Sequence, residues 1–288
     1  MKNSFPNFIL LTTFVILLMS CGGGNEEQKT ISKEDSSTGN VDSAQTDEMI
    51  SMPAPMQIAT ALSFLKAGYN PQFMVALPSQ NTSESTTNKA FRIGMYGVDI
   101  GYAIVNNKFN GIDKYIAETI KIAKDLKISG VIEETFIERF KNNTNNRDSL
   151  TVLTLSLFND IHQKLIDGGQ EVLAMEILTG SFVEGGVLIG KTYQASNNKE
   201  VGDLLAEQKL FTENVLKVIE ANDFGQDAIK IKEQLNELKT KYNAITIETQ
   251  SDSTDSKVAK IKGYNYNQEQ LNEIYKIFEN LRVLIATS

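Results

Sequence analysis

The chain has 288 residues, and its 28 Lys and Arg against 36 Asp and Glu give a formal net charge of −8. A single cysteine and a single histidine exclude a disulfide framework and a four-ligand Cys/His zinc site. The acidic balance, without a clustered basic face, argues against nucleic-acid binding. With 41% hydrophobic residues, the chain can bury a core of ordinary size.

Residues 1–20 have the pattern of an export signal. Lys2 provides a positive charge, and the apolar run from Phe8 to Leu18 follows it. This run is shorter than the roughly 20 apolar residues that a membrane-spanning helix needs. The sequence therefore predicts that residues 1–20 are cleaved from the mature protein.

The end of this segment resembles a bacterial lipobox, because Leu18, Met19 and Ser20 precede the only cysteine, Cys21. The resemblance implies lipidation of Cys21, with palmitate among the acyl chains. Each buried methylene contributes about 0.8 kcal/mol, so several chains give a stable anchor. We expect a lipid-anchored protein of the cell envelope, at the outer membrane. The sequence does not distinguish the periplasmic side of that membrane from the cell surface. The alternative is an ordinary secretory signal followed by an unmodified Cys21.

Residues 21–55 are predicted to form a disordered acidic tether behind the lipidated cysteine. Their composition includes almost no apolar surface that a fold could bury. The charged residues are mostly acids, namely Glu26, Glu27, Glu34, Asp35, Asp42, Asp47 and Glu48.

Residues 56–288 are predicted to form one all-α domain, a multi-helix bundle of about eight or nine helices. Apolar residues recur there at helical spacing, and no convincing strand alternation appears. The clearest stripes are Ala228, Ile231, Leu235, Leu238 and Tyr242, and Leu271, Ile274, Phe278, Leu281 and Ile285. Residues 246–257 are rich in Ser, Thr and Asp and are predicted to be a mobile loop.

Two segments, 88–106 and 170–193, are apolar on nearly every side, which predicts two central helices. Gly94, Gly97 and Gly101 lie on one face of the first, and Gly186 precedes Gly190 by one turn in the second. Glycine costs a helix roughly 1 kcal/mol per site. Its repetition on one face therefore indicates close approach of neighbouring helices.

The run NKAFRIGMYGVDIGYA, residues 88–103, together with the stretches FNDI at 158–161 and LTGSFVE at 178–184, resembles a family of uncharacterised helical lipoproteins of the Bacteroidota. The similarity covers roughly residues 53–285. It implies an all-helical lipoprotein body, and the family has no assigned activity.

A group of polar residues lies on the first central helix. Arg92, Tyr96 and Asp99 are spaced i, i+4, i+7, and Tyr102 lies about 60° to the side at 100° per residue. Such a group can line a pocket for a small polar ligand. It can equally be an internal network, because buried polar groups must be paired whatever the function. We favour the internal network.

Glu184 on the second central helix presents the same alternatives. We expect it to pair with Arg92 or Lys191 or to reach a backbone donor. If Glu184 and Asp99 converged they could bind calcium, but two carboxylates are too few to predict a metal site. No metal or cofactor is expected.

No catalytic residue is predicted. His162 lies off the apolar stripe of its helix, and Asp160, two residues away, does not face it. The sequence has no nucleophile elbow, Walker loop or dinucleotide fingerprint.

The predicted function is a membrane-anchored exported lipoprotein, a non-enzymatic binding or structural module of the cell envelope. One alternative is a hydrolase or lyase with a carboxylate-lined pocket between the central helices, using Asp99 or Glu184 as base. Another is a subunit of a larger envelope complex. The membrane is the partner expected through lipid on Cys21, and a protein partner or small polar ligand stays open.

Overall fold

The computed structural model describes residues 55–78, 85–128, 134–144, 146–221, 227–250 and 260–287. The predicted signal segment, Cys21 and the tether up to residue 54 lie outside these ranges, so those interpretations stay predictions.

Helices make up almost all of the described chain, and the all-α prediction is confirmed. Two of the helices, Lys199–Glu207 and Lys209–Ala221, are separated by Gln208 alone, and counting them as one unit gives nine helices in the described ranges, in agreement with the expected number. The helices are α1 Pro55–Phe64, α2 Thr86–Val105, α3 Ile112–Asp125, α4 Glu134–Asn142, α5 Arg147–Asp167, α6 Glu171–Ser196, α7 Lys199–Glu207, α8 Lys209–Ala221, α9 Asp227–Asn243 and α10 Gln268–Thr287. A turn of 3-10 helix, Pro71–Phe73, lies between α1 and α2.

The two central helices are α2 and α6, as the apolar segments predicted. Every residue of α2 from Ala90 to Val105 is buried. Among the described residues, α6 alone is long and apolar enough to cross a membrane, but 89% of its most apolar window is buried inside the protein. The apolar character of α6 is therefore that of a core helix.

Close contact between α2 and α6 depends on two glycines. A Cβ atom on Gly94 would overlap the carbonyl oxygen of Ile177, and one on Gly180 would overlap the carbonyl oxygen of Phe91. The Ser181 hydroxyl lies at the same crossing and is within hydrogen-bond distance, 3.2 Å, of the Gly94 carbonyl oxygen. At this crossing the two backbones touch with no side chain between them.

The other glycines of the predicted face contact different neighbours. Gly97 accommodates the ring of Phe158 on α5, and Gly101 accommodates Met56 on α1. On α6, Gly186 and Gly190 lie against aromatic rings of α10. Close approach is confirmed at these positions, although the three glycines of α2 serve three different neighbours.

The C-terminal helix α10 packs against α6 and α9. Its predicted stripe is buried from Leu271 to Ile285. It begins with a reciprocal cap, in which the Gln270 amide donates to Asn267 Oδ1 at 2.9 Å and the Asn267 amide donates to Gln270 Oε1 at 2.7 Å. The stripe of α9 is buried from Ile231 to Tyr242, and the side chain of Ala228 lies outside the described residues.

The loop predicted over residues 246–257 is wrong in its first part. Strand β1, Thr246–Gln250, pairs antiparallel with β2, Lys260–Asn265, with an irregularity in register between Glu248 and Thr249. Both strands are rich in polar residues, so the hydrophobic alternation that reveals a half-buried strand is weak. Residues 251–257 lie outside the described ranges.

The α2–α6 crossing gives a stability prediction. Gly94→Ala is expected to lower the free energy of unfolding by about 2 to 3 kcal/mol, because the backbone of α6 must move to admit the methyl group. Gly263→Ala is the control, since no atom lies within 4 Å of a Cβ there, and a change below about 0.5 kcal/mol is expected. Urea unfolding measures both, and equal effects of the two variants would contradict close contact at the crossing.

Candidate functional site

Two acids from the central helices meet in the core. Asp99 of α2 and Glu184 of α6 are both 0% exposed. The charge of Glu184 acts on Asp99, and the two carboxyl groups are close enough for a hydrogen bond if one of them carries a proton. We call these two residues the acid pair.

The two helices bring the acids together because of where they cross. Asp99 lies five residues after Gly94, and Glu184 lies four residues after Gly180. A helix rises about 1.5 Å per residue, so each acid is about one turn beyond the crossing. The glycine contact thus determines how closely the two carboxyl groups approach.

Each acid also has a second partner. Asp99 Oδ2 accepts a hydrogen bond of 2.9 Å from the backbone amide of Val75. Glu184 Oε1 accepts one of 2.9 Å from Nη1 of Arg282, on α10, whose side chain is 14% exposed. Among the described residues, Asp99 Oδ1 and Glu184 Oε2 have no other donor.

The partner of Glu184 differs from the one expected. The sequence pointed to Arg92, Lys191 or a backbone donor, whereas the ion pair is with Arg282. Lys191 lies near enough to lower the pKa of Glu184, and its Nζ is 6.0 Å from the centroid of the Phe73 ring. A carboxylate with this little access to water needs such a cation.

Burial and the neighbouring charged groups determine the titration of the acid pair. Burial is the largest cause that raises the pKa of Asp99 well above its usual range, and the charge of Glu184 raises it further. The Val75 amide and Arg282 act in the opposite direction. Burial also raises the pKa of Glu184, but Arg282 and the bond from Asp99 lower it.

A short segment, residues 68–75, lies beside the acid pair and is called the strap. At its start, the Tyr102 hydroxyl donates to the Gly68 carbonyl oxygen at 3.2 Å and accepts from the Asn70 amide at 3.0 Å. The rings of Tyr69 and Tyr102 stack at an angle, with centroids 5.0 Å apart. Tyr102, for which the sequence left a pocket or an internal network open and favoured the network, binds the strap.

Three further side chains bind the end of the strap. Asp99 accepts from the Val75 amide, and the Tyr115 hydroxyl donates to the Val75 carbonyl oxygen at 2.7 Å. Arg282 Nη1 donates to the Phe73 carbonyl oxygen at 2.7 Å as well as to Glu184. Backbone groups of the strap thus supply hydrogen bonds that the buried polar side chains require.

Arg92 and Tyr96 bind each other and the end of α10. Arg92 Nη2 donates to the carbonyl oxygen of Ala286 at 2.6 Å, and Nη1 lies 3.4 Å from the Tyr96 hydroxyl. A cation at a helix C-terminus interacts favourably with the helix dipole. The ring of Tyr96 packs edge-on against Tyr115, with centroids 5.7 Å apart. Both residues belong to the internal network that the sequence favoured.

Three cavities are formed by described residues, and the acid pair lines none of them. An apolar cavity of about 10 Å³ is bordered by Ile100, Phe136 and Phe140, among others. Two grooves of about 460 and 440 Å³ border α1 with α5, and α9 with α10. None of the three is lined by Arg92, Tyr96, Asp99, Tyr102 or Glu184.

The described residues contain no cluster of three or more Cys, His, Asp or Glu that could hold a metal ion. The acid pair offers two carboxyl groups and faces a guanidinium, which is unfavourable for a cation. His162 lies on α5, and burial lowers its pKa.

Sequence reasoning missed Arg282, Tyr115 and the strap. Arg282 follows Leu281 directly and lies at the edge of the apolar stripe of α10, which was the available signal. Tyr115 occurs within the apolar face of α3, where the sequence does not distinguish it from an ordinary core residue. The strap has no periodic pattern, and its role comes from backbone groups that sequence does not distinguish.

Removal of the cation tests the Glu184–Arg282 pair. Arg282→Met is expected to lower the free energy of unfolding by about 3 to 5 kcal/mol, because Glu184 would remain buried without its counterion. Lys239→Met is the matched control, since Lys239 and Glu213 form an exposed pair at 3.7 Å, and a change below about 1 kcal/mol is expected. Chemical denaturation of both variants at pH 7 measures the difference. A cost as small as that of the control would show that the buried pair contributes little.

The chain matches no protein-family model, no curated protein and no solved structure.

Proposed function

We propose that this chain is an exported lipoprotein whose helical body is a non-enzymatic structural or binding module of the cell envelope, anchored by lipid on Cys21. The anchor part of the proposal is supported by the sequence, in which the only cysteine directly follows Leu18, Met19 and Ser20. Acyl chains on this cysteine would hold the body at the membrane through the acidic segment that follows.

The closed core is the observation that carries the non-enzymatic part. A general acid or base must come within hydrogen-bond reach of its substrate. Asp99 and Glu184 are instead fully buried, and they accept hydrogen bonds from the strap and from Arg282. The two acids that the alternative hydrolase or lyase would use as base thus already have partners inside the protein. This supports a structural role for them.

Metabolic labelling tests the anchor. Wild-type protein expressed with an alkyne analogue of palmitate is expected to carry the label, whereas Cys21→Ser is expected to carry none, because the serine hydroxyl does not replace the thiol in this modification. Ser20→Ala is the control, since it keeps a small residue before the cysteine, and it should be labelled as the wild type is.

The result is judged by incorporation of the palmitate label. Membrane fractionation alone would not distinguish a lipid anchor from an uncleaved signal segment. An uncleaved segment with the apolar run Phe8 to Leu18 would itself associate with membranes. Labelling of the Cys21→Ser variant, or an unlabelled wild type, would contradict the proposal.

A subunit of a larger envelope complex is the second candidate, and an exposed apolar feature favours it. Phe64 at the end of α1 is 81% exposed, and Val152 of α5 is 60% exposed. Both line the groove of about 460 Å³, which also contains Lys66 and Arg147. Large exposed apolar side chains at a groove are typical of protein contacts, and a partner with an apolar side chain would cover these two.

Site-specific cross-linking from α1 tests this candidate in cells. Phe64→Ser is expected to change the free energy of unfolding by less than about 0.5 kcal/mol, because the ring is largely in solvent, and to abolish a cross-link formed by the wild type. Ile229→Ser, at another exposed site (52%), should preserve that cross-link. A cross-link that survives Phe64→Ser would argue against the groove.

A further inference from the structure

In each residue of the acid pair, one carboxyl oxygen has a hydrogen-bond donor among the described residues and the other does not, which two ionised carboxylates would not explain. Asp99 Oδ2 binds the strap and Glu184 Oε1 binds Arg282. The remaining oxygens, Asp99 Oδ1 and Glu184 Oε2, lack any other donor among the described residues. A carboxylate has only acceptors, so a hydrogen bond between the two acids requires a proton on one of them.

We infer that Asp99 and Glu184 hold one proton between Asp99 Oδ1 and Glu184 Oε2, and that its loss as the pH rises loosens the strap from the core. The inference concerns the body alone and does not depend on the anchor. The proton is on Asp99, which donates to the carboxylate of Glu184, and Arg282 balances the single negative charge. Deprotonation transfers this proton to solvent hydroxide and forms water.

Geometry identifies Asp99 as the acid that carries the proton. Glu184 has a guanidinium at 2.9 Å, which favours its charged form, whereas Asp99 has only a neutral backbone amide at 2.9 Å. The directions of the pKa effects agree, because the hydrogen bond between the acids raises the pKa of Asp99 and lowers that of Glu184. Two interacting sites of this kind titrate as a pair.

The surrounding charges do not compensate a second negative charge. Arg282 is the cation in direct contact, and Lys191 acts from a greater distance with its own pKa lowered by burial. Glu279 also acts on Lys191, so the local balance is already close to neutral with one proton present. The tyrosines that face the pair from the strap, α2 and α3 have raised pKa values and stay neutral, namely Tyr69, Tyr102 and Tyr115.

The strap is the element that can respond to a second charge. The two acids are on the central helices, whose backbones touch, and Arg282 is on α10. The strap instead is a non-helical segment apart from one turn, and positive φ angles occur at its first residue, Gly68 (79°), and just before it at Lys66 (50°). Moving the strap would let water reach the acid pair and solvate the second charge.

The sign of the stability effect follows from linkage. An acid whose pKa is raised in the folded state contributes stability that is present below its unfolded value, about 3.9 for Asp, and is lost as the pH rises through the folded value. In that interval the unfolding equilibrium constant rises tenfold per pH unit for this one proton.

Asp99→Asn is the deciding variant. The Asn amide can donate to Glu184 Oε2 as the protonated acid does, and its oxygen can accept from the Val75 amide, so the geometry is retained without a titrating group. Between pH 6 and pH 8, the unfolding constant of the wild type is expected to rise at least tenfold relative to that of Asp99→Asn. Asp148→Asn is the control, since Asp148 is 89% exposed, and its ratio to the wild type should stay constant.

Hydrogen exchange locates the effect in the full chain. The protection factors of peptides covering residues 68–75 are expected to fall between pH 6 and pH 9 in the wild type and to stay constant in Asp99→Asn, while peptides of α9 are unchanged in both. An equal fall in the wild type and the variant would overturn the link between the proton and the strap.

Infrared spectroscopy reports the proton directly and does not require that a variant folds. The wild type at pH 7 is expected to show the carbonyl stretch of a protonated carboxyl group, which disappears as the pH is raised in the interval where strap protection falls. Absence of this band at pH 7 would overturn the inference. Its presence together with its loss in Asp99→Asn supports it.

Discussion

The burial of two carboxyl groups in one core is the constraint on which the rest of this structure depends. A buried charge is costly unless it is paired and hydrogen-bonded. The acid pair therefore requires a cation from α10 and an amide from the strap, and both are supplied within 3 Å. Three helices and a non-helical segment are tied together by this requirement. A polar cluster of this kind gives the core a defined arrangement that apolar packing alone specifies less well.

Small residues make this arrangement possible. Where Gly94 and Gly180 let α2 and α6 touch, larger residues would separate the helices and draw the two acids apart. The energetic cost of glycine in a helix is offset by close packing over the whole α2–α6 contact. The same two helices thus combine backbone contact at the two glycines with the buried acid pair, about one helical turn apart.

Much of the fold could be predicted from sequence because helical spacing is a local property. The apolar stripe from Leu271 to Ile285 and the reciprocal cap at Asn267 can be recognised in the amino-acid sequence, and both are present in the structure. The pairing of β1 with β2 could not be predicted, because the strands are short and polar and depend on contacts between residues that are ten to nineteen positions apart. Sequence also singled out Asp99 and Glu184, since a charge in an apolar helix is visible without a structure.

The sequence did not identify the partner of each buried polar side chain. Sequence alone determined where the helices lie, which of them are central, and that Asp99 and Glu184 must be satisfied inside the core. Only the tertiary structure decided that Glu184 pairs with Arg282, 98 positions away, while Arg92 binds the last turn of α10. The reason is physical: a buried acid needs a cation, and the sequence contains several Lys and Arg residues that could each supply it. Which of them reaches it depends on how whole helices pack.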